Sequence, residues 1–395
     1  MGFWSVAAGR YDKLRMYTSA IIFPKSEGAK REFRNLKKIN ISTIRMGLNE
    51  RIIIIGGGLS GLTLAYVLSK KTISPIVLEA SSRLGGRIQT IRGAIGTPLE
   101  LGATWFSDMH PNLLALIDEL GLTKYPQFSE GISLFQTRSF EPPQKFFVPE
   151  AEMPSYRLAG GTQMLIDTLV QKLSGKAILT NTKATAIAET ESGIAVQTAG
   201  GETMHAAKVI ICIPPQLAVK QLTFSPGLPD TLDSVLPNVQ TWMAGAVKFV
   251  LEYDRPFWRE NGYSGMLYSH AGIITEMYDH TSFEENKFGF TGFLNTSAAS
   301  YSSEVRKEFV LSQLGGLLGE QALKPVAYFD KVWTDEFVLD GTQVIRRPHQ
   351  YNGHPLLQQS YMNGKLFFAA TETASEFPGY MEGAVIAAQS VAERL

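Results

Sequence analysis

A glycine-rich turn between two apolar runs constrains the fold of this chain more than any other feature of its sequence. Residues 51–55 form a run dominated by isoleucine, as in a strand that is buried on both faces of a parallel sheet. Residues 59–70 have helical spacing, and residues 76–79 form a second short apolar run. The order strand, turn, helix, strand predicts a βαβ unit and therefore an α/β fold.

The turn itself has the spacing Gly56-x-Gly58-x-x-Gly61. Because these glycines lack side chains, the backbone N–H groups can approach a pyrophosphate at the positive end of the helix, in a Rossmann-like arrangement. Glu79 follows Gly61 by eighteen residues, where a carboxylate can accept hydrogen bonds from both hydroxyls of an adenosine ribose. The alternative is a glycine-rich turn with an unrelated acid nearby.

A second cluster of glycines and arginines follows the second strand, in the segment Arg83-Leu84-Gly85-Gly86-Arg87. Arg87 can neutralise a pyrophosphate, and the glycines let the chain pass close to a cofactor. An enzyme that binds NAD alone does not need this second segment. A solvated basic loop is the alternative interpretation.

Composition excludes several classes of function. The 395 residues carry 37 basic and 37 acidic side chains, so their balance gives no indication of a nucleic-acid partner. The length predicts two domains.

The single cysteine, Cys212, excludes an intrachain disulfide and favours a reducing compartment such as the cytoplasm. The histidines lack metal-ligand spacing, so we expect no metal site. No apolar run approaches the roughly 18 residues that span a bilayer, so we expect no membrane anchor.

Residues 1–46 are predicted to be a basic N-terminal extension. Residues 1–45 contain ten Lys or Arg and three acidic residues, which leaves 27 basic and 34 acidic residues in the remainder. A basic, acid-poor N-terminus is also typical of an organelle-targeting peptide. We favour an irregular extension, or a start at Met46, and keep organelle targeting as the alternative.

Further segments make the chain resemble the flavin-containing amine oxidase family, which includes monoamine, polyamine and L-amino-acid oxidases. The resemblance runs from about residue 51 to residue 395. Residues 100–105 (Glu-Leu-Gly-Ala-Thr-Trp) are similar to the family's second flavin loop. Residues 367–373 and 378–385 match its C-terminal segments and are the most specific part of the resemblance.

The resemblance implies a discontinuous, Rossmann-like FAD-binding domain and an α+β substrate domain. The FAD-binding domain is expected near 47–106, 158–248 and 341–395, and the substrate domain near 107–157 and 249–340. The residues that the resemblance implies for binding FAD are Gly56, Gly58, Leu59, Ser60, Gly61, Glu79, Ala80, Arg83, Gly86, Arg87, Gly102, Ala103, Thr104, Trp105, Ala184, Glu372, Gly379, Tyr380 and Met381.

Gly379 is predicted to open the last helix of the chain. A helix N-terminus carries about half a positive charge and free N–H donors. Directed at the N1–C2=O edge of a flavin, it would stabilise the anionic reduced form and so favour electron acceptance.

Lys248 is the residue that the resemblance implies for chemistry. It lies in an apolar strand pattern, where a lysine is costly to bury unless it has a function. The segment is similar to the family segment whose lysine holds a water against flavin N5, and Pro256-Phe257-Trp258 follows at the matching distance. A snorkelling surface lysine is the alternative.

Three departures from the family pattern shape the prediction. In monoamine oxidases a cysteine tethers the flavin. The corresponding place in this chain has no cysteine, and the single Cys212 lies elsewhere, so FAD is expected to be non-covalent. Tyr380 matches one of the two tyrosines that sandwich the amine, but the other place falls near Gln343. Trp105, Phe106 or Tyr351 is therefore expected to line the substrate pocket instead. Trp105 also stands where L-amino-acid oxidases place an arginine, which ranks simple amines above α-amino acids.

The sequence therefore predicts an FAD-dependent oxidase that converts an amine to an imine and passes the electrons to O₂, giving H₂O₂. Lys248 would position a water, and Tyr380 would align the amine. The alternatives are a desaturase or protoporphyrinogen-oxidase-like enzyme on the same fold, and a non-enzymatic FAD-fold protein.

The remaining pattern predicts further elements of secondary structure. Helices are expected over 111–121, 162–174, 303–319 and 379–395. A small antiparallel meander that returns to the main sheet is expected within 177–213, and strands are expected over 246–253 and within 264–294. Residues 125–157 have only weak periodicity.

Overall fold

The structure is a computed structural model that describes residues 51–173, 177–334 and 349–395. The predicted extension over residues 1–46 and the predicted pocket residue Gln343 lie outside the described residues. Within these ranges, no helix combines the length and the apolar character needed to cross a bilayer.

Helices and strands are interspersed along the described residues. The α-helices are α1 (Leu59–Lys70), α2 (Pro111–Glu119), α3 (Gln163–Lys172), α4 (Pro215–Gln221), α5 (Asp230–Val235), α6 (Phe257–Glu260), α7 (Ser303–Leu318) and α8 (Met381–Arg394). Short 3₁₀ helices span Leu236–Asn238, Thr296–Ser300, Glu320–Leu323, Pro355–Gln358 and Thr371–Thr373. The strands are β1 (Ile52–Ile55), β2 (Ile76–Leu78), β3 (Thr90–Arg92), β4 (Pro98–Glu100), β5 (Lys124–Pro126), β6 (Gly131–Gln136), β7 (Gln144–Val148), β8 (Tyr156–Leu158), β9 (Ile178–Leu179), β10 (Ala184–Thr190), β11 (Gly193–Thr198), β12 (Thr203–Ala206), β13 (Lys208–Ile211), β14 (Thr223–Ser225), β15 (Val247–Tyr253), β16 (Tyr263–Ser269), β17 (Ile274–Asp279), β18 (Phe288–Leu294), β19 (Ala327–Val332), β20 (Ser360–Tyr361) and β21 (Leu366–Phe368).

The predicted βαβ unit is confirmed, since β1 and β2 are parallel neighbours and α1 connects them. They belong to a sheet of order β20-β21-β13-β1-β2-β9, which is parallel except at the antiparallel pair β20–β21. Side chains of β1 alternate between two cores. Ile52 and Ile54 pack with residues of α1, α3 and α8, whereas Ile53 and Ile55 pack with residues of α4 and of the strands β10 and β11. Burial on both faces explains the unbroken run of isoleucines.

A second sheet has the order β12-β11-β10-β14. The predicted antiparallel meander is confirmed for β10, β11 and β12. The first predicted strand of that meander, near residues 177–179, instead joins the main sheet as β9, parallel to β2. Strand β13 returns the chain to the main sheet beside β1, as predicted.

A third sheet has the order β19-β15-β18-β17-β16-β6-β7 and packs its core against α7. It takes strands from both segments predicted for the substrate domain, 107–157 and 249–340. Strand β15 begins at Val247 and crosses the boundary predicted at residue 248. The weakly periodic segment 125–157 contains four strands, two of which, β6 and β7, extend this sheet.

Candidate active site

A cavity of about 800 Å³ brings most of the predicted site residues together. Its wall includes the glycine-rich turn, the segment after β2, the loop after β4, strand β15 and the start of α8. The predicted residues that line it are Gly56, Gly58, Leu59, Ser60, Glu79, Ala80, Arg83, Gly86, Arg87, Gly102, Ala103, Thr104, Trp105, Ala184, Lys248, Gly379, Tyr380 and Met381.

The glycines of the turn have two different roles. A Cβ added at Gly61 would lie 2.0 Å from the carbonyl oxygen of Gly56, so this glycine allows α1 to pack directly against the turn. Among the described residues, a Cβ added at Gly58 would have one atom within 4 Å, the Cα of Gly86 at 3.9 Å. Gly58 is also the N-cap residue of α1, and no described side chain forms a capping hydrogen bond there. Its open side therefore gives an anionic ligand access to the helix N-terminus.

Glu79 holds the turn from the end of β2. Its Oε2 accepts a hydrogen bond from the Gly57 N–H at 2.7 Å, and its Oε1 accepts from the Ser81 N–H and hydroxyl, both at 2.9 Å. A carboxylate has about four acceptor positions, so Glu79 can hold the turn and still accept from a ligand hydroxyl in the cavity.

The two predicted arginines differ in what they contact. Arg83 donates to the carbonyls of Gly86 at 2.6 Å and Ile88 at 2.7 Å, so it shapes the loop that carries Gly86. Arg87 donates to Glu372 at 2.6 Å. Glu372 is completely buried, and its second oxygen has no hydrogen-bond partner among the described residues. Glu372 lies behind Arg87 rather than in the cavity wall, so it fixes the arginine that faces the cavity.

The last helix begins two residues later than predicted. Helix α8 starts at Met381 with Tyr380 as its N-cap, whereas Gly379 adopts a φ of +90° just before it. A Cβ at Gly379 would also lie 2.7 Å from the Cβ of Trp242, so the turn before the helix requires glycine. The hydroxyl of Thr371 accepts from the Gly379 N–H and donates to the Tyr380 carbonyl, which holds the helix start at the cavity wall.

Lys248 is buried within β15 and reaches the loop after β4. Its ammonium donates to the carbonyl of Gly102 at 2.7 Å and to the hydroxyl of Thr104 at 2.5 Å. It also lies over the rings of Trp105 and Phe293, at 4.9 and 5.5 Å from their centroids. The alternative of a surface lysine is therefore wrong, since only 2% of Lys248 is exposed.

Burial has a strong effect on the charge of Lys248. Removal from water, with a smaller contribution from the nearby Arg157, lowers the pKa of Lys248 to about 7, although the carboxylates of Glu100 and Glu276 oppose the change. Burial also raises the pKa of Glu100, while the Thr162 N–H and the nearby Lys248 oppose that shift. At neutral pH the cavity therefore contains an amine that is neither fully protonated nor fully neutral.

Two of the residues predicted for the substrate pocket lie in the cavity wall, whereas Tyr351 is exposed and does not line it. Trp105 and Tyr380 line the cavity, and Trp105 is held by a hydrogen bond from its Nε1 to Gln127 at 2.9 Å. Phe106 differs from the expectation, because it is buried in the core beside Tyr156 and does not line the cavity. Trp105 and Phe106 therefore do not share one space, although they are neighbours in the sequence.

The structure adds lining residues that sequence reasoning missed. Trp242 lies beside Tyr380, with ring centroids 5.9 Å apart. Glu276, Tyr278 and Phe293 come from the neighbouring strands β17 and β18. Alternation within β17 (Ile-Thr-Glu-Met-Tyr-Asp) indicates which residues share a face, but only the pairing of β17 with β18 shows that this face meets the cavity.

Comparison with known proteins agrees with this geometry. The family model described as flavin containing amine oxidoreductase matches residues 59–140 and 137–395. The chain is 25% identical to a probable flavin-containing monoamine oxidase A of Dictyostelium discoideum, over 85% of this chain and 94% of that protein. It is 24% identical to the human flavin-containing amine oxidase B, over 87% of this chain and 85% of that protein.

Solved structures show the same fold. Wild-type putrescine oxidase bound to putrescine matches with a TM-score of 0.75 and 22% identity, covering 87% of this chain and 98% of that one. Cyclohexylamine oxidase from Brevibacterium oxydans matches with a TM-score of 0.74 and 20% identity, over the same shares of the two chains. Since the family model matches most of its length, the chain belongs to the flavin containing amine oxidoreductases and is an oxidoreductase that acts on amines.

Proposed function

We propose that this protein binds FAD without a covalent bond and oxidises an amine to an imine, with O₂ as the electron acceptor and H₂O₂ as the second product. The observation that carries the proposal is the placement of a fully buried lysine, Lys248, in the wall of the cavity that also contains the glycine-rich turn. The overall change is R–CH₂–NH₂ + O₂ → R–CH=NH + H₂O₂, after which water hydrolyses the imine.

The residues of the cavity fit a flavin dinucleotide. The open side of Gly58 and the N-terminus of α1 suit a pyrophosphate, and Glu79 suits the ribose next to it. Arg87 supplies a positive charge at the same wall and is fixed by the buried Glu372, whose second oxygen has no hydrogen-bond partner in the described part of the chain. When bound, FAD supplies the acceptor for the two electrons that leave the C–N bond.

The lone cysteine supports a non-covalent cofactor. Cys212 is buried beside the glycine-rich turn, and burial raises the pKa of its thiol to about 12. A thiol reacts as the thiolate, which this shift suppresses. Cys212 is also the one cysteine of the sequence, which favours a reducing compartment, and we propose the cytoplasm.

Lys248 has a donor available for a water. In its protonated form Lys248 has three N–H bonds, and the carbonyl of Gly102 and the hydroxyl of Thr104 accept two of them. The third can hold a water in the cavity, which is the role that we propose for Lys248. The rings of Trp105 and Phe293 flank the group and limit further access of solvent.

Tyr380 is proposed to align the amine. It lines the cavity as the N-cap of α8 and stacks on His349 with centroids 5.8 Å apart and an angle of 11° between the rings. An aromatic, water-poor wall favours the neutral amine, which is the form that can lose electrons to the flavin.

We also propose the domain division predicted from the sequence. The main sheet, which leads into the glycine-rich turn, and the third sheet, which carries Lys248, are built from different segments of the chain.

A panel of amines tests the proposal directly. Purified protein is expected to be yellow, to release FAD into solution on acid precipitation, and to be bleached by an amine without oxygen, with peroxide formed when air is admitted. Flavin that stays in the precipitate would refute the non-covalent mode. Flavin that no amine reduces would refute amine oxidation, and reduction by a carotenoid or porphyrinogen would favour the desaturase or protoporphyrinogen-oxidase-like alternative.

Two lysine variants test the role of Lys248. Lys331 pairs with Lys248 in the register of β15 and β19 but does not line the cavity, which makes Lys331→Met a matched control. We expect Lys248→Met to keep FAD and to lose at least about ten-fold in the rate of flavin reoxidation or turnover, whereas Lys331→Met keeps the parent rates. Equal kinetics in the two variants would refute the role of Lys248.

A further inference from the structure

Three buried charged side chains lie close together at the back of the cavity. Glu100 ends β4 and Arg157 belongs to β8, and neither lines the cavity, whereas Lys248 does. Glu100 and Lys248 are 2% exposed, and Arg157 is 4% exposed. The ion pairs between described residues all join other side chains. Each of the three charges is therefore removed from water without an opposite charge in direct contact.

Short backbone contacts connect these side chains. The ammonium of Lys248 donates to the carbonyl two residues beyond Glu100. The Glu100 N–H donates to Nε2 of His280 at 3.2 Å. Arg157 donates to the carbonyl of the following residue, Thr281, at 2.9 Å. Burial raises the pKa of Glu100, and both Lys248 and Arg157 oppose that rise, so two cations share one carboxylate.

The hydrogen bonds of Glu100 favour its ionised form. The carboxylate accepts from the Thr162 N–H at 2.5 Å and from the Thr90 hydroxyl at 3.0 Å. The oxygen of Thr90 accepts in turn from the Gln163 N–H at 2.9 Å, so the hydrogen of this hydroxyl is available to Glu100. Donors directed at a carboxylate stabilise its charge, and a guanidinium stays protonated in proteins. Glu100 therefore carries a negative charge near the permanent positive charge of Arg157.

The other titratable groups that face Lys248 differ from this pair. Glu276 of β17 lines the cavity itself. Lys331 of β19 pairs with Lys248 in the register of the sheet but does not line the cavity. His280 is completely buried, and burial with the neighbouring cations holds its pKa well below the ordinary value, so it is neutral.

The charge of Lys248 decides the direction of its hydrogen bond to a cavity water. The Gly102 carbonyl and the Thr104 hydroxyl accept two of its N–H bonds. In the neutral amine the remaining position is a lone pair that accepts from water, whereas in the ammonium it is a third N–H that donates. Because burial lowers the pKa of Lys248 to about 7, both forms occur near neutral pH.

We propose that Arg157 and Glu100 are positioning residues that act through Lys248 and set the pH at which its hydrogen bond to the cavity water reverses. The positive charge of Arg157 offsets the negative charge of Glu100, so Lys248 has no counter-ion of its own. This inference rests on the proposed role of Lys248 in amine oxidation and assigns the control of that role to two residues outside the cavity wall.

The charge of Lys248 can be titrated directly. In the full chain labelled with [ε-¹³C]lysine, the Cε resonance of Lys248 is identified by its loss in Lys248→Met and is followed by NMR from about pH 5 to pH 10. Arg157→Gln removes the positive charge but keeps a donor for the Thr281 carbonyl, and we expect the midpoint to rise by about one pH unit or more. Glu100→Gln keeps the shape and removes the negative charge, and we expect the midpoint to fall by about as much.

Opposite shifts distinguish an effect of charge from an effect of packing. Arg138→Met removes an exposed arginine that pairs with Glu141 and serves as the control that keeps the parent midpoint. Thermal unfolding verifies that each variant is folded. Shifts in the same direction in Arg157→Gln and Glu100→Gln would overturn the assignment. An unchanged midpoint in Glu100→Gln would also overturn it, whether or not the arginine variant is soluble.

Kinetics separate this inference from the proposed function. In the flavin-loaded protein, the midpoint of the pH profile of flavin reoxidation is expected to move up in Arg157→Gln and down in Glu100→Gln, as the NMR midpoint does. Opposite NMR shifts in a protein that no amine reduces would support the control of the Lys248 charge and overturn the proposed function. Opposite NMR shifts with an unchanged pH profile would overturn the link between this charge and the reaction.

Discussion

Replacement of Lys248 by methionine gives a prediction about stability that is independent of the cofactor. Methionine has a similar length and no charge, so Lys248→Met removes the buried ammonium without leaving a large cavity. In the ligand-free protein the change also removes the donor to the Gly102 carbonyl and the Thr104 hydroxyl. These two losses cost about 1 kcal/mol each.

The cost of the buried charge acts in the opposite direction and depends on pH. The pKa of Lys248 is about 7 in the folded protein against an ordinary value of 10.5, so below pH 7 the charged form costs on the order of 5 kcal/mol relative to the unfolded chain. Between these two values the unfolded chain binds a proton that the folded protein does not bind. The free energy of unfolding of the parent therefore rises with pH in this window, by about 2 kcal/mol between pH 7 and pH 9.

The variant lacks this dependence, and the difference in stability between the two proteins changes with pH. At pH 6 we expect Lys248→Met to exceed the parent by about 3 kcal/mol, because relief of the charge outweighs the two lost hydrogen bonds. By pH 9 the two proteins are expected to be about equally stable. Urea midpoints of the ligand-free proteins at pH 6, 7, 8 and 9 measure the difference. A difference that stays constant over this range would refute the assignment of a depressed pKa to Lys248.

Two further predictions concern the cofactor side of the cavity. Gly58→Ala is expected to leave the thermal midpoint of the ligand-free protein unchanged and to weaken FAD binding about ten-fold or more in an equilibrium titration, since the new methyl enters open cavity space. Gly61→Ala is the matched contrast and is expected to lose soluble, folded protein, because its Cβ would meet the Gly56 carbonyl at 2.0 Å; a normal yield would contradict this. Arg87→Met is expected to lower the free energy of unfolding by about 3 kcal/mol or more, because the buried Glu372 loses its partner, and the double variant with Glu372→Met should recover most of the loss. Equal urea midpoints for the single and double variants would refute this role of the ion pair.

The βαβ unit and its glycine-rich turn were predictable because the residues that indicate them are close together in the sequence. The run 51–55, the glycines of the turn and Glu79 lie within thirty residues, and each constrains the backbone directly. Periodicity also placed α3, α7 and the meander β10–β12. The start of α8 was displaced by two residues, since a glycine before a helix can serve either as its cap or as the turn that leads to it.

The substrate side was less predictable because its residues meet through long-range pairing. Strand β6 lies parallel to β16, more than a hundred residues later, and segment 125–157 alternates too weakly to show this in isolation. Glu276 has the pattern of an ordinary solvent-facing residue in a half-buried strand. Only the register through Phe293 brings its carboxylate to the face that carries Lys248.

The order of strands in the main sheet has a consequence for biosynthesis. Strand β1 pairs with β13, and β13 pairs with β21. The centre of the sheet therefore cannot form until β13 and β21 have been synthesised, about 150 and 310 residues after β1. At about 5–20 residues per second, the glycine-rich turn leaves the ribosome roughly 15–65 s before α8 is complete. During that interval the isoleucines of β1 lack their final neighbours, and the first turn of α8 is not yet present to close the cavity. We therefore expect the proposed FAD to be captured only after α8 has been synthesised, and we expect the supply of FAD to affect the yield of folded protein from that point onward.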